Sequence, residues 1–287
     1  MPSQTLALLI LAAFLHASYH ALYKKSIDKG VFAWWFILVA TIVYFPALIS
    51  TPFHFPREGW LCIFASGVAE AAYYIATSEA YERGDLSVVY PLARGAAPLF
   101  VTLWAILFLE ERPTSVGLAG ILLVVSGIYL LNIRSFAHLL DPLPSLKGSS
   151  SRFALLASLC ISIYSVLDKV GVGYVPPLIY IYLVLVVALA IFTPYILLTG
   201  RRAEIIVEWR ANKASILVAG VLILFTYFLV LTAMKMAYVS YVASVREVSI
   251  VFGALLGYFL LKERYGPIRV FASILIFLGV FLIGRAA

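Results

Sequence analysis

The stretch VTLWAILFLEER (residues 101–112) recurs in altered form as GALLGYFLLKER (residues 253–264), at an offset of 152 residues in a chain of 287. In each copy an apolar run ends in a Glu-Arg pair. Arg94 and Arg246 are separated by the same offset, and each stands 18 residues before the arginine of its pair. The chain therefore contains an internal repeat of about half its length.

Charged residues are scarce in this sequence. They make up 12% of the chain, against 63% apolar residues, and the mean hydropathy is +1.02. A soluble domain carries about 25% charged residues, so lipid must cover most of the outer surface. The two cysteines, Cys62 and Cys160, are too few for a disulfide framework or a four-ligand zinc site.

Apolar stretches long enough to cross a bilayer, which takes roughly 20 residues, recur along the whole chain. Ten spans are predicted, at residues 4–23, 31–50, 59–81, 86–108, 114–132, 152–171, 177–198, 214–235, 238–261 and 266–285. The serine-rich connection 133–151 contains two prolines and is typical of a linker. We therefore predict an all-α integral membrane fold in which residues 1–132 and 152–287 each form a five-helix repeat.

An odd number of spans per repeat has a topological consequence. The second repeat must enter the membrane from the opposite side, which makes the two repeats inverted. Inverted repeats are typical of transporters, because two pseudo-equivalent halves that rock about a shared site give alternating access.

Several motifs in both halves resemble one known family. The ends FLEER (residues 108–112) and LLKER (residues 260–264) are each followed by a glycine-rich apolar helix, and the segment SVVYPL (residues 87–92) precedes the first of them. In these features the chain resembles the ten-helix, two-EamA-domain members of the drug/metabolite transporter superfamily, over nearly its whole length. The resemblance implies a secondary carrier without cofactors, and neither a phosphate-loop motif nor an enzyme motif occurs in the sequence.

Lysine and arginine are distributed unevenly between the two predicted membrane faces. Of 21 such residues, fourteen fall on the face where the first span ends, five fall on the N-terminal face, and Arg94 and Arg246 lie within spans. The positive-inside rule predicts a cell (inner or plasma) membrane protein with both termini outside, whereas the resemblance implies cytoplasmic termini. Basic loops beside anionic headgroups account for the net charge of +7, and no long basic segment indicates a nucleic-acid partner.

The two intramembrane arginines are the first candidates for substrate contact. Arg94 lies about 12 Å deep at 1.5 Å per residue, and Arg246 lies about as deep from the other face. Both would stand near the midplane, where inverted-repeat carriers bind their substrates, and a guanidinium suits carboxylate or phosphate. The alternative is that each arginine pairs with Glu70, Glu79 or Glu247 and only holds helices together.

A polar stripe on the third span supplies further candidates. Glu70, Tyr73, Tyr74 and Thr77 follow the spacing i, i+3, i+4, i+7 of one helix face. Their position in the middle of the span favours a cavity lining over an interfacial tyrosine belt. We predict that Glu70, Tyr73 and Tyr74 contact substrate.

Four more residues complete the predicted substrate site. They are His16, Tyr90, Tyr164 and Tyr227. Tyr90 shares the helix face of Arg94, and His16 forms an i, i+4 pair with His20 that lacks the third ligand of a metal site; its alternative role is interhelical hydrogen bonding.

Three acidic residues raise separate questions. Glu247 and Glu70 are candidates for proton coupling, because a buried carboxylate can take up and release a proton, and the alternative is an ion pair with an arginine. Asp168 and its neighbour Lys169 end the sixth span and are predicted to be solvated.

Taken together, these features predict a secondary active transporter of a small anionic or zwitterionic metabolite, such as an amino acid, an organic acid, or a phosphorylated or phosphonate compound. The alternative is an exporter of cationic or aromatic compounds, in drug or amine efflux, since carboxylates and aromatic faces attract cations. The predicted partners are a small-molecule substrate, the lipid bilayer and protons as a coupling ion, in a monomer or a homodimer.

Overall fold

A computed structural model of the chain describes residues 1–49, 54–83, 93–131, 148–261 and 267–286. Within these ranges every regular element is an α-helix, and no strand occurs. The helices are α1 (Ser3–Lys24), α2 (Lys29–Val43), α3 (Phe45–Ile49), α4 (Arg57–Arg83), α5 (Ala97–Phe108), α6 (Ser115–Leu131), α7 (Ser149–Gly171), α8 (Pro177–Leu198), α9 (Arg202–Met234), α10 (Val239–Arg246), α11 (Val248–Leu261) and α12 (Pro267–Arg285).

Seven of the described helical segments are long and apolar enough to cross a membrane, with α10 and the start of α11 counted together. Three shorter apolar helices lie at the predicted second, fourth and fifth spans, at Lys29–Val43, Ala93–Phe108 and Ser115–Leu131. The all-helical, multi-span class is thus confirmed, whereas the count of ten spans stays a prediction.

Helix α9 is longer than the predicted span 214–235. It begins at Arg202 and changes direction at Asn212, whose φ of −127° and ψ of 19° are not helical. The extra turns contain both apolar and charged residues, and Trp209 packs against Trp35 with ring centroids 4.6 Å apart. Tryptophan beside charged residues is typical of a membrane interface.

The two repeats are interleaved rather than side by side. The major helix–helix interfaces join one repeat to the other, and they occur in pairs that a pseudo-two-fold axis exchanges. The pairs are α1–α9 with α4–α7, α2–α9 with α4–α8, and α1–α11 with α5–α7. The α6–α12 interface has no separate counterpart, because the axis maps it onto itself.

Glycines bring the backbones of α6 and α12 into direct contact. A Cβ atom on Gly120 would lie 2.7 Å from the carbonyl oxygen of Gly279, and one on Gly127 would lie 2.8 Å from that of Ala272. Only glycine fits such an approach, which is a common way for membrane helices to pack. The glycine-containing helices α6 and α12 therefore form a close seam between the repeats.

Candidate functional site

A cavity of about 60 Å³ lies at the centre of the bundle, and both repeats contribute to its wall. The structure brings eight of the nine predicted substrate contacts together around it. These eight are His16, Glu70, Tyr73, Tyr74, Arg94, Tyr164, Tyr227 and Arg246. The ninth, Tyr90, lies outside the described residues. Thr77, the fourth member of the polar stripe, also faces the cavity.

Arg94 forms an ion pair across the repeats. Its Nε lies 3.3 Å from Oε2 of Glu247, and both side chains are 3% exposed. Its Nη2 lies 3.2 Å from Nε2 of His16 on α1. Of the three carboxylates considered as structural partners for the arginines, Arg94 therefore pairs with Glu247.

His16 links Arg94 to a neighbouring phenol. Arginine can only donate, so Nε2 of His16 must accept and Nδ1 must carry the ring proton. Nδ1 then donates to the hydroxyl of Tyr19, 2.9 Å away. A neutral imidazole at position 16 therefore fits the contacts with Arg94 and Tyr19. The His20 ring packs against that of His16 with centroids 4.2 Å apart.

Arg246 has a different environment from its repeat counterpart. Its Cζ lies 5.5 Å from the ring centroid of Tyr227, within the range of a cation–π contact. Its Nε is buried without a hydrogen-bond partner, and no carboxylate in the described ranges forms an ion pair with it. The sequence explains the asymmetry, because Gly95 occupies the position equivalent to Glu247.

Glu70 and a row of tyrosine rings form another part of the cavity wall. Oε1 of Glu70 accepts a hydrogen bond of 3.3 Å from the hydroxyl of Tyr74. The rings of Tyr73 and Tyr164 meet edge to face at 6.1 Å, as do those of Tyr164 and Tyr227. Edge-to-face rings are a favourable arrangement, so the row forms an aromatic wall that ends at the ring beneath Arg246.

The prediction that Asp168 is solvated is wrong. Its side chain is 1% exposed and accepts hydrogen bonds from Ser66 (2.5 Å), Tyr180 (3.0 Å) and Tyr227 (2.5 Å). The three hydroxyl groups come from α4, α8 and α9, and together they replace the water that a buried carboxylate loses. The ring of Tyr227 lies beneath Arg246 and lines the cavity. The hydrogen bond from the Tyr227 hydroxyl to Asp168 therefore holds this part of the cavity wall in place.

Lys169 is likewise not a freely solvated residue. It is half-buried, and its Nζ donates to the carbonyl oxygens of Met234 and Ala237 at the C-terminal end of α9. An ammonium group in this position satisfies helix-end carbonyls that have no partner within the helix.

Asp168→Asn is expected to destabilise the protein by about 2–3 kcal/mol, because hydrogen bonds to a charged group contribute about 1.5–3 kcal/mol each and the amide accepts at only one atom. Thermal unfolding in detergent measures the effect. Tyr182→Phe is the control, since it removes a hydroxyl from the same helix as Tyr180. A melting temperature of Asp168→Asn equal to that of the parent would show that the three hydrogen bonds contribute nothing.

A charged cluster joins the repeats on the face where α1 ends. Arg201 contacts Asp28 (3.3 Å) and Ser78 (2.8 Å) and forms an ion pair with Glu82. Glu79, considered in the sequence as a partner of the intramembrane arginines, instead pairs with Arg83 and accepts a hydrogen bond from Tyr195. These contacts connect the ends of α2, α4 and α8 and leave the central arginines to other partners.

Comparison with known proteins agrees with this architecture. The model of the family described as "EamA-like transporter family" matches residues 4–133 and again residues 150–285. The chain belongs to the EamA-like transporter family. It is therefore a multi-pass membrane transporter of the drug/metabolite superfamily, with the family domain present twice.

Two individual proteins resemble this EamA-like transporter. A curated protein from Sinorhizobium sp, described as "Uncharacterized transporter in cobO 3'region", is 28% identical over 96 residues, which cover 33% of this chain and 67% of the relative. A solved structure described as "Crystal structure of protein" has a TM-score of 0.75 and 15% identity, and the match covers 98% of this chain and 96% of that one. At that identity the second match shows the fold alone.

Sequence reasoning missed two parts of the site of this EamA-like transporter. Asp168 was assigned to the end of a span and hence to solvent, although its spacing of four residues from Tyr164 places both on one helix face. Tyr19 and Tyr23 also line the cavity. Their signal was the same i, i+4 spacing that singled out His16 and His20.

Proposed function

We propose that the chain is a secondary active transporter for a small zwitterionic or anionic metabolite, bound in the central cavity between the repeats. The observation that carries the proposal is that the buried guanidinium of Arg246 forms no ion pair within 4.0 Å with a carboxylate of the described residues. This guanidinium lines the cavity, and its Nε is buried without a hydrogen-bond partner. A buried cation without an anion is costly in a bilayer, so a carboxylate or phosphate on the substrate is the natural partner.

Glu70 favours a zwitterion over a simple anion. It lines the same cavity as Arg246, and among the described residues its side chain accepts one long hydrogen bond, from Tyr74. An acidic group at one wall and a basic group at another match a molecule with one carboxylate and one ammonium group, and the small volume suits a compact one. Amino acids have this chemistry.

The substrate class is tested by thermal-shift screening of the purified protein, because a ligand raises the melting temperature of the state that it binds. The panel pairs α-amino acids with carboxylic acids that lack only the amino group, and adds phosphorylated acids and organic amines. We expect stabilisation by amino acids above that by their deaminated partners. Stabilisation by the amines alone would reject the proposal.

Glu70→Gln is expected to weaken amino-acid binding about tenfold, the equivalent of one charge-assisted hydrogen bond of about 1.4 kcal/mol. Binding of the deaminated partner should be unchanged or tighter, because the substitution removes a repulsive carboxylate. Titration of both compounds by the same melting assay measures the difference. Equal losses for the two compounds would show that Glu70 does not recognise an ammonium group.

Export of cationic or aromatic compounds is the second candidate function. The aromatic wall of Tyr73, Tyr164 and Tyr227 beside Glu70 favours it, since both kinds of group attract cations. The two candidates differ in their response to substitution. Loss of the Arg246 charge should reduce transport of a zwitterion or anion by roughly 10- to 100-fold and largely spare that of an amine.

Alternating access is the proposed mode of transport, across ten spans with both termini outside. The interleaved interfaces imply that the moving bodies are groups of helices from both repeats rather than the two sequence halves. Glu247 is engaged by Arg94, so Glu70, whose contact is a single phenol, is the better of the two proposed proton-coupling residues.

A further inference from the structure

The N-terminus of helix α10, the helix that ends at Arg246, is capped by the carboxylate of Glu111 from the other repeat. Glu111 is 5% exposed. Its Oε1 accepts from the backbone N–H of Val239 (2.6 Å), and its Oε2 accepts from the backbone N–H (3.3 Å) and the hydroxyl (2.6 Å) of Ser240. These N–H groups are among the four at a helix start that have no partner within the helix.

The backbone conformation of Glu110 directs the side chain of Glu111 toward the N-terminus of α10. Glu110 has a φ of 53° and is the single non-glycine residue with positive φ in the described ranges. Such a conformation is unfavourable for a residue with a Cβ atom. The N–H of Glu111 then donates back to the carbonyl of Ala105 at 3.1 Å, which fixes the turn after α5.

Helix α10 has no cap of its own. The residue before it, Tyr238, makes no side-chain cap hydrogen bond, and the helix is eight residues long before Glu247 interrupts it. So short a helix has little intrinsic stability. A negative charge at its N-terminus also complements the helix dipole, and Glu111 supplies it from outside the repeat.

A second contact from the first repeat holds the same turn. The hydroxyl of Tyr241 accepts from the backbone N–H of Thr114 at 3.0 Å. A Cβ atom on Gly117 would lie 2.2 Å from that hydroxyl, so α6 can pack against α10 here because residue 117 is glycine. The first turn of α10 is thus anchored to the start of α6 and the turn before it.

We propose that Glu111 is a positioning residue of the substrate site, which holds α10 so that the guanidinium of Arg246 faces the cavity. The seven residue steps from Val239 to Arg246 span about 10 Å of helix at 1.5 Å per residue. A rigid helix transmits both the height and the rotation of its anchored end over that distance. The inference rests on the proposed role of Arg246, but its test needs no substrate.

The experiment combines hydrogen–deuterium exchange with arginine modification by phenylglyoxal, both read by mass spectrometry on the full-length protein in detergent. In Glu111→Ala we expect at least tenfold faster amide exchange across residues 239–246. We also expect at least a threefold change in the rate at which Arg246 is modified. Glu110→Gln is the matched control, because it alters the exposed neighbouring carboxylate and should change neither readout.

The result that overturns the proposal is faster exchange in α10 with an unchanged rate of Arg246 modification, since Glu111 would then only stabilise the helix. Unchanged exchange would overturn it as well. If Glu111→Ala fails to fold, Glu111→Gln and Ser240→Ala weaken the same contacts more mildly and should give the same changes at reduced size. Failure of the proposed function would appear elsewhere, as amino-acid binding that Arg246→Ala leaves intact.

Discussion

Arg246→Ala is expected to reduce binding and transport of the substrate by roughly 10- to 100-fold. Hydrogen bonds to a charged group contribute about 1.5–3 kcal/mol, and every 1.4 kcal/mol is a factor of ten in affinity. The fold should tolerate the change, because among the described residues Arg246 forms no ion pair and its guanidinium packs on the Tyr227 ring. Counterflow in proteoliposomes and the melting-temperature titration measure transport and binding on the same preparation.

Arg285→Ala is the control for that substitution. Arg285 also stacks on an aromatic ring, with its Cζ 5.2 Å from the centroid of Phe281, but it is exposed at the end of α12. It should bind and transport as the parent does. Arg246→Lys keeps the charge without the planar fork and should retain part of the affinity. Parent-like affinity in Arg246→Ala would refute the proposed site.

Glu247→Gln is expected to reduce stability more than any other single substitution considered for this chain. It leaves the buried guanidinium of Arg94 without its carboxylate, and removal of one partner of a buried ion pair costs about 3–5 kcal/mol. The melting temperature in detergent should fall steeply, and the yield of folded protein should fall with it.

The double variant Arg94→Met/Glu247→Gln tests whether the loss of stability comes from the buried guanidinium that has lost its carboxylate. Removing both charges leaves no guanidinium that has lost its carboxylate, so the double variant should be more stable than Glu247→Gln alone, and the two effects should be non-additive. Glu204→Gln, in the interfacial part of α9, is the control for loss of an acidic residue. Additive effects of the two substitutions would show that Arg94 and Glu247 do not stabilise each other.

The parts of the site that sequence could predict are those with a short-range signature. Glu70, Tyr73 and Tyr74 share one face of α4 because helical periodicity is a local property, and their spacing was sufficient to group them. Arg94 and Arg246 followed from the repeat offset combined with the rise per residue. Neither inference needed to know which helices are neighbours.

The parts that could not be predicted depend on which helices meet. The sequence offered Glu70, Glu79 and Glu247 as partners for the arginines without a way to choose, since that choice depends on how α5, α1 and α10 converge. Asp168 was misplaced for the same reason, because the hydroxyl groups around it come from three other helices. Glu111 served in the sequence only as a marker of the repeat, and its contact with Ser240 is visible only in three dimensions.

The interleaving of the repeats has a consequence for biosynthesis. While the ribosome is still translating the linker, α1, α2 and α4 are already in the bilayer, yet the surfaces that they bury belong to α7, α8, α9 and α11. The first half must therefore wait as loosely associated helices until the second half, which supplies the Glu247 carboxylate beside Arg94, is inserted. Assembly of this transporter is a late event that involves the whole chain, and a nascent chain that stops midway exposes the helix surfaces that the second half would bury.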